Sequence, residues 1–127
     1  MNKTILATGL LLGLLAVILG AFGAHGLKKV LSAEEINTFE TGVKYQMYHA
    51  LFLIFLSMLT LASEGTKQAV FYLVLIGVIF FSFSIYLLAT NNLTSFDFKK
   101  IGFITPIGGA LLIAGWGYLF YGILTKN

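Results

Sequence analysis

The sequence lacks cysteine and holds a single proline among its 127 residues. Without cysteine, the chain can form no disulfide, no thiolate metal site and no thiol nucleophile. Charge is scarce as well, since 10% of the residues are charged, whereas a soluble domain carries about 25%. Arginine is absent, and the eight basic residues are lysines scattered near the ends of apolar runs. Such lysines anchor helices at a membrane surface, so we expect no nucleic-acid interface.

Long apolar runs make up most of the chain, in which 58% of the residues are hydrophobic. Four intervals carry no charge, and roughly 20 residues at a rise of about 1.5 Å cross a hydrocarbon core of about 30 Å. Because lipid offers no partner to an unpaired backbone group, these intervals must be helices. The sequence therefore predicts an all-α integral membrane protein, a four-transmembrane-helix bundle forming one domain. The spans are expected at about 4–24, 43–62, 68–90 and 105–124.

The first span also fits a second interpretation. Lys3 precedes an apolar run that ends in small residues near positions 21–24, which is typical of a cleavable secretory signal. Cleavage there would leave a three-helix remnant. We therefore interpret this run as the first membrane helix.

An amphipathic, interfacial helical segment is expected between the first two spans. Ser32 and Glu35 have the spacing of a capping box, which predicts a helix start near Ala33. Two arrangements fit the residues that follow. Either one helix runs over 33–62, or Gly42 separates an interfacial helix from the second span.

Small residues recur on one side of the first and last spans. Spacings of three, four and seven place them on single helix faces, which favours close helix packing. The expected helix-packing residues are Gly9, Gly13, Gly20, Gly108, Gly115 and Gly122. At the start of the last span, Thr105 and Pro106 fit an N-cap followed by proline at the first helical position.

Lysine bias predicts the orientation. The side with the first and third connections holds five lysines, against three on the side with both termini. The positive-inside rule then places both termini outside.

The chain also resembles a known family through four segments. Gly20–Leu27, Phe39–Leu51, Thr105–Gly109 and Ala114–Trp116 are similar to the signature segments of the small bacterial membrane proteins grouped as domain of unknown function 423. Transmembrane protein 256 is the animal relative of that family. The resemblance covers essentially the whole chain, and it implies a four-helix protein of the bacterial inner membrane with no established activity, cofactor or catalytic residue.

Polar residues gather between the first two spans and form a candidate cluster of unknown role. We expect antiparallel packing of these helices to bring His25 and His49 to one depth. The members of the cluster are His25, Glu35, Glu40, Lys44, Tyr45, Gln46 and His49.

Three interpretations of the cluster compete. In the first, which we favour, the polar groups satisfy one another structurally and the protein is a non-enzymatic helix-packing or interaction module, with the lipid bilayer, a second copy or another membrane protein as partner. In the second, an oligomer conducts a small solute, an ion or protons. In the third, His25, His49 and a glutamate form a metal or enzyme site. A remaining alternative is lipid or quinone binding beside the aromatic residues. We expect no cofactor.

Overall fold

The computed structural model describes residues 2–93 and 97–126, except for the side chains of Ala24 and Phe98. Within these residues the chain folds into helices joined by short turns. Four long helices account for most of it, and the first and third each contain one π-helical turn, at Leu19–Gly23 and Ile79–Phe83. The long helices are α1 (Lys3–Leu27), α2 (Ala33–Met58), α3 (Glu64–Ala89) and α4 (Ile104–Thr125).

Among the described residues, three segments are long and apolar enough to cross a membrane. They are α1, α3 and the stretch Lys99–Thr125 that contains α4. Helix α2 is not among them, because charged and amide side chains interrupt its first half. The all-helical membrane class is thus supported directly. A fourth crossing, by α2, requires that the polar side chains of this helix find partners within the protein.

The start of α2 is held by the predicted capping box, which is confirmed. The Ser32 hydroxyl accepts from the Glu35 N–H at 3.1 Å, and the Glu35 carboxylate accepts from the Ser32 N–H at 2.8 Å. The Ser32 backbone N–H is the main cause that lowers the pKa of Glu35, and the Asn92 side chain adds to it by donating to the same carboxylate at 2.7 Å. This end of α2 is therefore tied to the turn after α3.

Helix α2 is continuous through Gly42, so the alternative with a break at this residue is wrong. Gly42 is buried against α3, where a Cβ would lie 2.6 Å from the Tyr86 ring. The glycine serves a close approach between two helices rather than a turn. The helix then ends at Met58, four residues before the predicted position 62.

The helices pack in chain order, α1 against α2, α2 against α3, and α3 against α4. The glycines of α1 face α2: a Cβ on Gly9 would lie 2.9 Å from the Ala50 carbonyl oxygen, and Gly13 and Gly20 lie near Ala50 and Val43. Helix α1 therefore uses its glycine face within the chain.

The glycines of α4 face α3 in the same way. Gly108 lies directly against the backbone of Phe80 and Phe81, inside the π-helical turn. A Cβ on Gly115 would lie 2.8 Å from Val74, and one on Gly122 would lie 2.7 Å from Thr66. Each predicted glycine face thus meets a neighbouring helix of its own chain.

The first turns of α4 and α3 each hold a polar side chain whose partner was not expected from the sequence. Thr105 is not an N-cap, because α4 already begins at Ile104; its hydroxyl instead pairs with that of Ser84 at 2.6 Å. Lys67 is 2% exposed, and its ammonium donates to the carbonyls of Ser57 and Leu59 at 3.2 and 3.0 Å. This buried lysine satisfies the end of α2, which lacks further helical partners.

Candidate functional site

A buried glutamine joins three helices at the centre of the bundle. Gln46 is fully buried on α2, and its amide nitrogen donates to the Leu12 carbonyl of α1 at 2.8 Å. The Tyr86 hydroxyl of α3 donates to the Gln46 amide oxygen at 2.6 Å. Because both ends of the amide are paired, Gln46 can lie inside an apolar bundle without an unsatisfied polar atom.

One turn further along α2, His49 uses both ring nitrogens. Nδ1 lies 2.7 Å from the Tyr45 carbonyl oxygen, which can only accept, so Nδ1 carries the proton. Nε2 lies 3.0 Å from the indole nitrogen of Trp116, which can only donate. The two contacts are satisfied together only by the neutral ring with its proton on Nδ1. Protonation of Nε2 would break the contact with Trp116.

Aromatic rings surround this pair and bring α4 to α2. The Trp116 ring lies edge-on to His49, at 6.0 Å between centroids and 83° between planes, and it contacts the Phe52 ring at 4.3 Å. On the other side of His49, the rings of Tyr45 and Phe81 meet at 4.9 Å. These contacts place the indole edge beside the imidazole.

The space between α2 and α4 is an apolar groove with two halves, which we call the α2/α4 groove. The larger half has a volume of about 430 Å³, and its walls include Phe52, Phe55 and Phe120. The smaller half has a volume of about 310 Å³ and includes His49 and Phe81. In the described part of the chain, Trp116 is the one residue that lines both halves. Each volume falls within the range of small-molecule sites.

The structure brings together only part of the predicted polar cluster. Tyr45, Gln46 and His49 lie on adjoining turns of α2, at the groove or directly behind it. Glu35 lies at the start of α2 in its capping box, whereas Glu40 is half-buried and Lys44 is exposed, both between that end and the groove.

His25 and His49 do not lie at one depth, so this expectation is wrong. Leu12 lies opposite Gln46, which places His49 beside the middle of α1. His25 is exposed at the end of α1, thirteen residues beyond Leu12 and so roughly 20 Å further along the helix axis. The two helices are antiparallel as expected, but His49 lies too far inside α2 to reach the level of His25.

Sequence reasoning missed the partners of Gln46 and His49. No local pattern distinguishes Tyr86 from the other aromatic residues of its helix, and Trp116 stands out only as part of a signature segment. The available signal was the spacing of Gln46 and His49, which places both side chains on one side of α2. Their partners lie 40 and 67 residues away in sequence, beyond the reach of local patterns.

The helices and the site together define a class: a small helical membrane protein with a buried polar centre and an apolar groove. The chain belongs to the family described as "Protein of unknown function (DUF423)", whose model matches residues 19–109. The resemblance drawn from the sequence is thereby confirmed.

Relatives in several bacteria cover nearly the whole chain. A UPF0382 membrane protein of Staphylococcus saprophyticus is 40% identical over 94% of this chain and 96% of its own length. The UPF0382 membrane protein YwdK of Bacillus subtilis is 37% identical over 90% of both chains. The UPF0382 inner membrane protein YgdD of Escherichia coli is 34% identical over 88% of this chain and 82% of its own length. No solved structure matches the chain significantly.

Proposed function

We propose that this protein is a non-enzymatic interaction module of the bacterial inner membrane, and that it binds a membrane-soluble lipophile in the α2/α4 groove without transforming it. The observation that carries the proposal is the neutral His49, whose two nitrogens are already engaged within the protein. With Trp116 in place, the ring presents no free nitrogen to act as a general base or a metal ligand, and it accepts no second proton without losing the bond to Trp116.

The proposal includes a fourth membrane crossing by α2. This helix has 26 residues, which at the helical rise gives about 39 Å, enough to span the hydrocarbon core. Near its middle, Gln46 and His49 are buried and paired with protein groups. The exposed Lys44, also near the middle, can extend its ammonium along its aliphatic stem towards the membrane surface. Outward-facing residues of the second half of α2, such as Leu51 and Phe55, are large and apolar.

The location of the binding surface follows from how the helices pack. The glycine faces of α1 and α4 are already occupied by α2 and α3, so they offer no free surface for a second copy. The α2/α4 groove remains open on the side away from α1 and is walled by aromatic and aliphatic side chains. Because its walls expose almost no polar atom, its occupant must be apolar over most of its length.

Photocrosslinking in intact bacterial membranes tests the proposal. A benzophenone amino acid is placed at Phe120, which lines the groove and is 68% exposed. The matched control places it at Tyr121, the next residue, which is 66% exposed but lies outside the groove walls. Mass spectrometry of the labelled peptide is expected to find one small lipophile attached at position 120 and only bulk phospholipid at position 121.

Equal labelling by phospholipid at both positions would contradict the proposal, as would a protein adduct at position 120. The second result would indicate a helix of a partner or of a second copy in the groove.

A further inference from the structure

The Trp116 indole occupies an unusual position in the α2/α4 groove. Trp116 is 51% exposed, although its indole N–H donates to the His49 Nε2 atom. It also stands at the boundary between the two halves of the groove. A hydrogen bond formed by a half-exposed side chain at the wall of a cavity can be exchanged for a bond to a ligand.

We propose that His49 Nε2 is the hydrogen-bond acceptor of a ligand site, and that Trp116 occupies this acceptor until a ligand displaces it. The ligand class is a lipophile with an apolar body and one hydroxyl or N–H donor. This inference rests on the proposed function of the groove, and it adds the chemistry by which the ligand is selected.

The tautomer of His49 supports this choice of ligand. The Tyr45 carbonyl holds the proton on Nδ1, so Nε2 presents a lone pair towards the groove. A ligand that offers only acceptor oxygens, such as an ether or an ester, has nothing to donate to this atom. A hydroxyl or N–H of the ligand has the polarity that the indole N–H now supplies.

Selectivity follows from the surroundings of the acceptor. An acceptor left without a partner in an apolar groove is unfavourable. A ligand with a donor keeps Nε2 paired when it replaces the indole, so the displaced indole N–H is the one group that needs another partner. A ligand without a donor must either leave Nε2 unpaired or fit beside an undisplaced Trp116. The site is therefore expected to discriminate by hydrogen bonding rather than by size.

Displacement of Trp116 would also enlarge the space available. The indole separates a cavity of about 430 Å³ from one of about 310 Å³. Rotation of this side chain away from His49 joins the two halves along the groove, while the Phe52 and Phe81 rings remain as walls. The donor of the ligand then lies at His49, and its apolar body extends along the larger half.

A matched pair of probes tests the inference on the full-length protein in lipid nanodiscs. The probes are 4-nonylphenol, which carries one donor, and 4-nonylanisole, in which a methyl group replaces that proton. Trp116 is the single tryptophan of the chain, so its emission reports directly on the site. The ¹⁵N signals of labelled histidine provide the second readout, with the exposed His25 as internal control for non-specific partitioning.

In the wild type, we expect the phenol to bind more tightly than the anisole by up to about tenfold, the ratio given by one hydrogen bond, because loss of the indole bond offsets part of the gain. The phenol alone should shift the Trp116 emission and the His49 Nε2 signal, while the His25 signals stay unchanged. In His49→Phe, which keeps a ring but removes the acceptor, both probes should bind with the affinity of the anisole. In Trp116→Phe the competing donor is gone, and the His49 signal should report tighter phenol binding.

Thermal denaturation of both variants verifies that they fold. Equal affinities of the two probes in wild type would overturn the inference and leave the proposed function of the groove intact. Unchanged discrimination in His49→Phe would also overturn it. If neither probe perturbs Trp116 and the crosslinking at position 120 finds no lipophile, the proposed function fails as well.

Discussion

Replacement of Gln46 by leucine measures how much the buried polar centre contributes to the bundle. The substitution keeps the approximate volume of the side chain but removes two hydrogen bonds, to Leu12 and from Tyr86. The Leu12 carbonyl keeps its helical partner, whereas the half-buried Tyr86 hydroxyl loses its acceptor. Two bonds at about 0.6 kcal/mol each inside a membrane protein, and about 1–3 kcal/mol for the hydroxyl left unpaired, give an expected loss of about 2–4 kcal/mol.

A double-mutant cycle with Tyr86→Phe separates the hydrogen bond from the rest of this loss. In the Tyr86→Phe background no hydroxyl is left unpaired, so Gln46→Leu should cost less than it does in wild type. By the same numbers Gln46→Leu costs about 0.6 kcal/mol in that background, so the expected coupling is about 1.6–3.6 kcal/mol. Unfolding is followed by circular dichroism during titration of mixed micelles with SDS.

The control is Gln68→Leu, since Gln68 is the other glutamine of the chain and is exposed near the start of α3. This variant should change the free energy of unfolding by less than about 0.5 kcal/mol. Additive effects of Gln46→Leu and Tyr86→Phe would refute the reasoning, because additivity means that the two side chains do not interact.

Four further predictions follow from other parts of the bundle. Gly108→Ala should destabilise by about 1–3 kcal/mol, because a Cβ meets the backbone of α3, which cannot move aside; Gly117→Ala, where a Cβ meets nothing within 4 Å, should cause no loss in the same SDS titration. Ser82→Ala should leave the SDS midpoint unchanged or raise it, because the buried Ser82 hydroxyl has no partner within the described residues; a lower midpoint would show that the hydroxyl is used. Folding lowers the pKa of the Glu35 carboxylate from 4.5, so the carboxylate contributes its full share of folding stability above that value and loses it as the pH falls through the lower folded pKa. Glu35→Gln should therefore lose less thermal stability than wild type between about pH 6 and about pH 3. Equal losses in the two proteins would contradict this. A reporter fused after Asn127 should be active only outside the cytoplasm, and activity in the cytoplasm would reverse the orientation.

One structural observation bears on that orientation. The Asn2 backbone N–H donates to the Ser57 carbonyl at 3.0 Å, and the Lys126 ammonium donates to the Thr60 carbonyl at 2.8 Å. Both ends of the chain therefore lie beside the turn between α2 and α3. The reporter fused after Asn127 therefore also shows on which side of the membrane the N-terminus and this turn lie.

Much of the fold could be predicted because its causes are local. Scarce charge and apolar runs longer than a bilayer is thick require membrane helices, whatever their neighbours are. The capping box of Ser32 and Glu35 depends on residues three positions apart, so the start of α2 was predicted correctly. The spacing of the glycines likewise defined a face on α1 and on α4, although it did not identify the helix that each face meets.

The candidate site depended on information that no local pattern contains. His25 and His49 were grouped because both lie near the connection between the first two spans, but the register of α1 against α2 places them at different depths. Lys67 lies at a helix end as expected, but its burial depends on the end of α2, whose Ser57 and Leu59 carbonyls lack helical partners and accept from its ammonium.

What the sequence determined by itself was the class of protein, its helices and the presence of a few polar residues that must find partners inside it. Only the tertiary structure decided which partners those are. Gln46 meets Tyr86, and His49 meets Trp116, because α3 and α4 pack in one order and one register. The physical reason is that a hydrogen bond needs its two atoms within about 3 Å, a condition that depends on the packing of whole helices and not on the residues next to each atom.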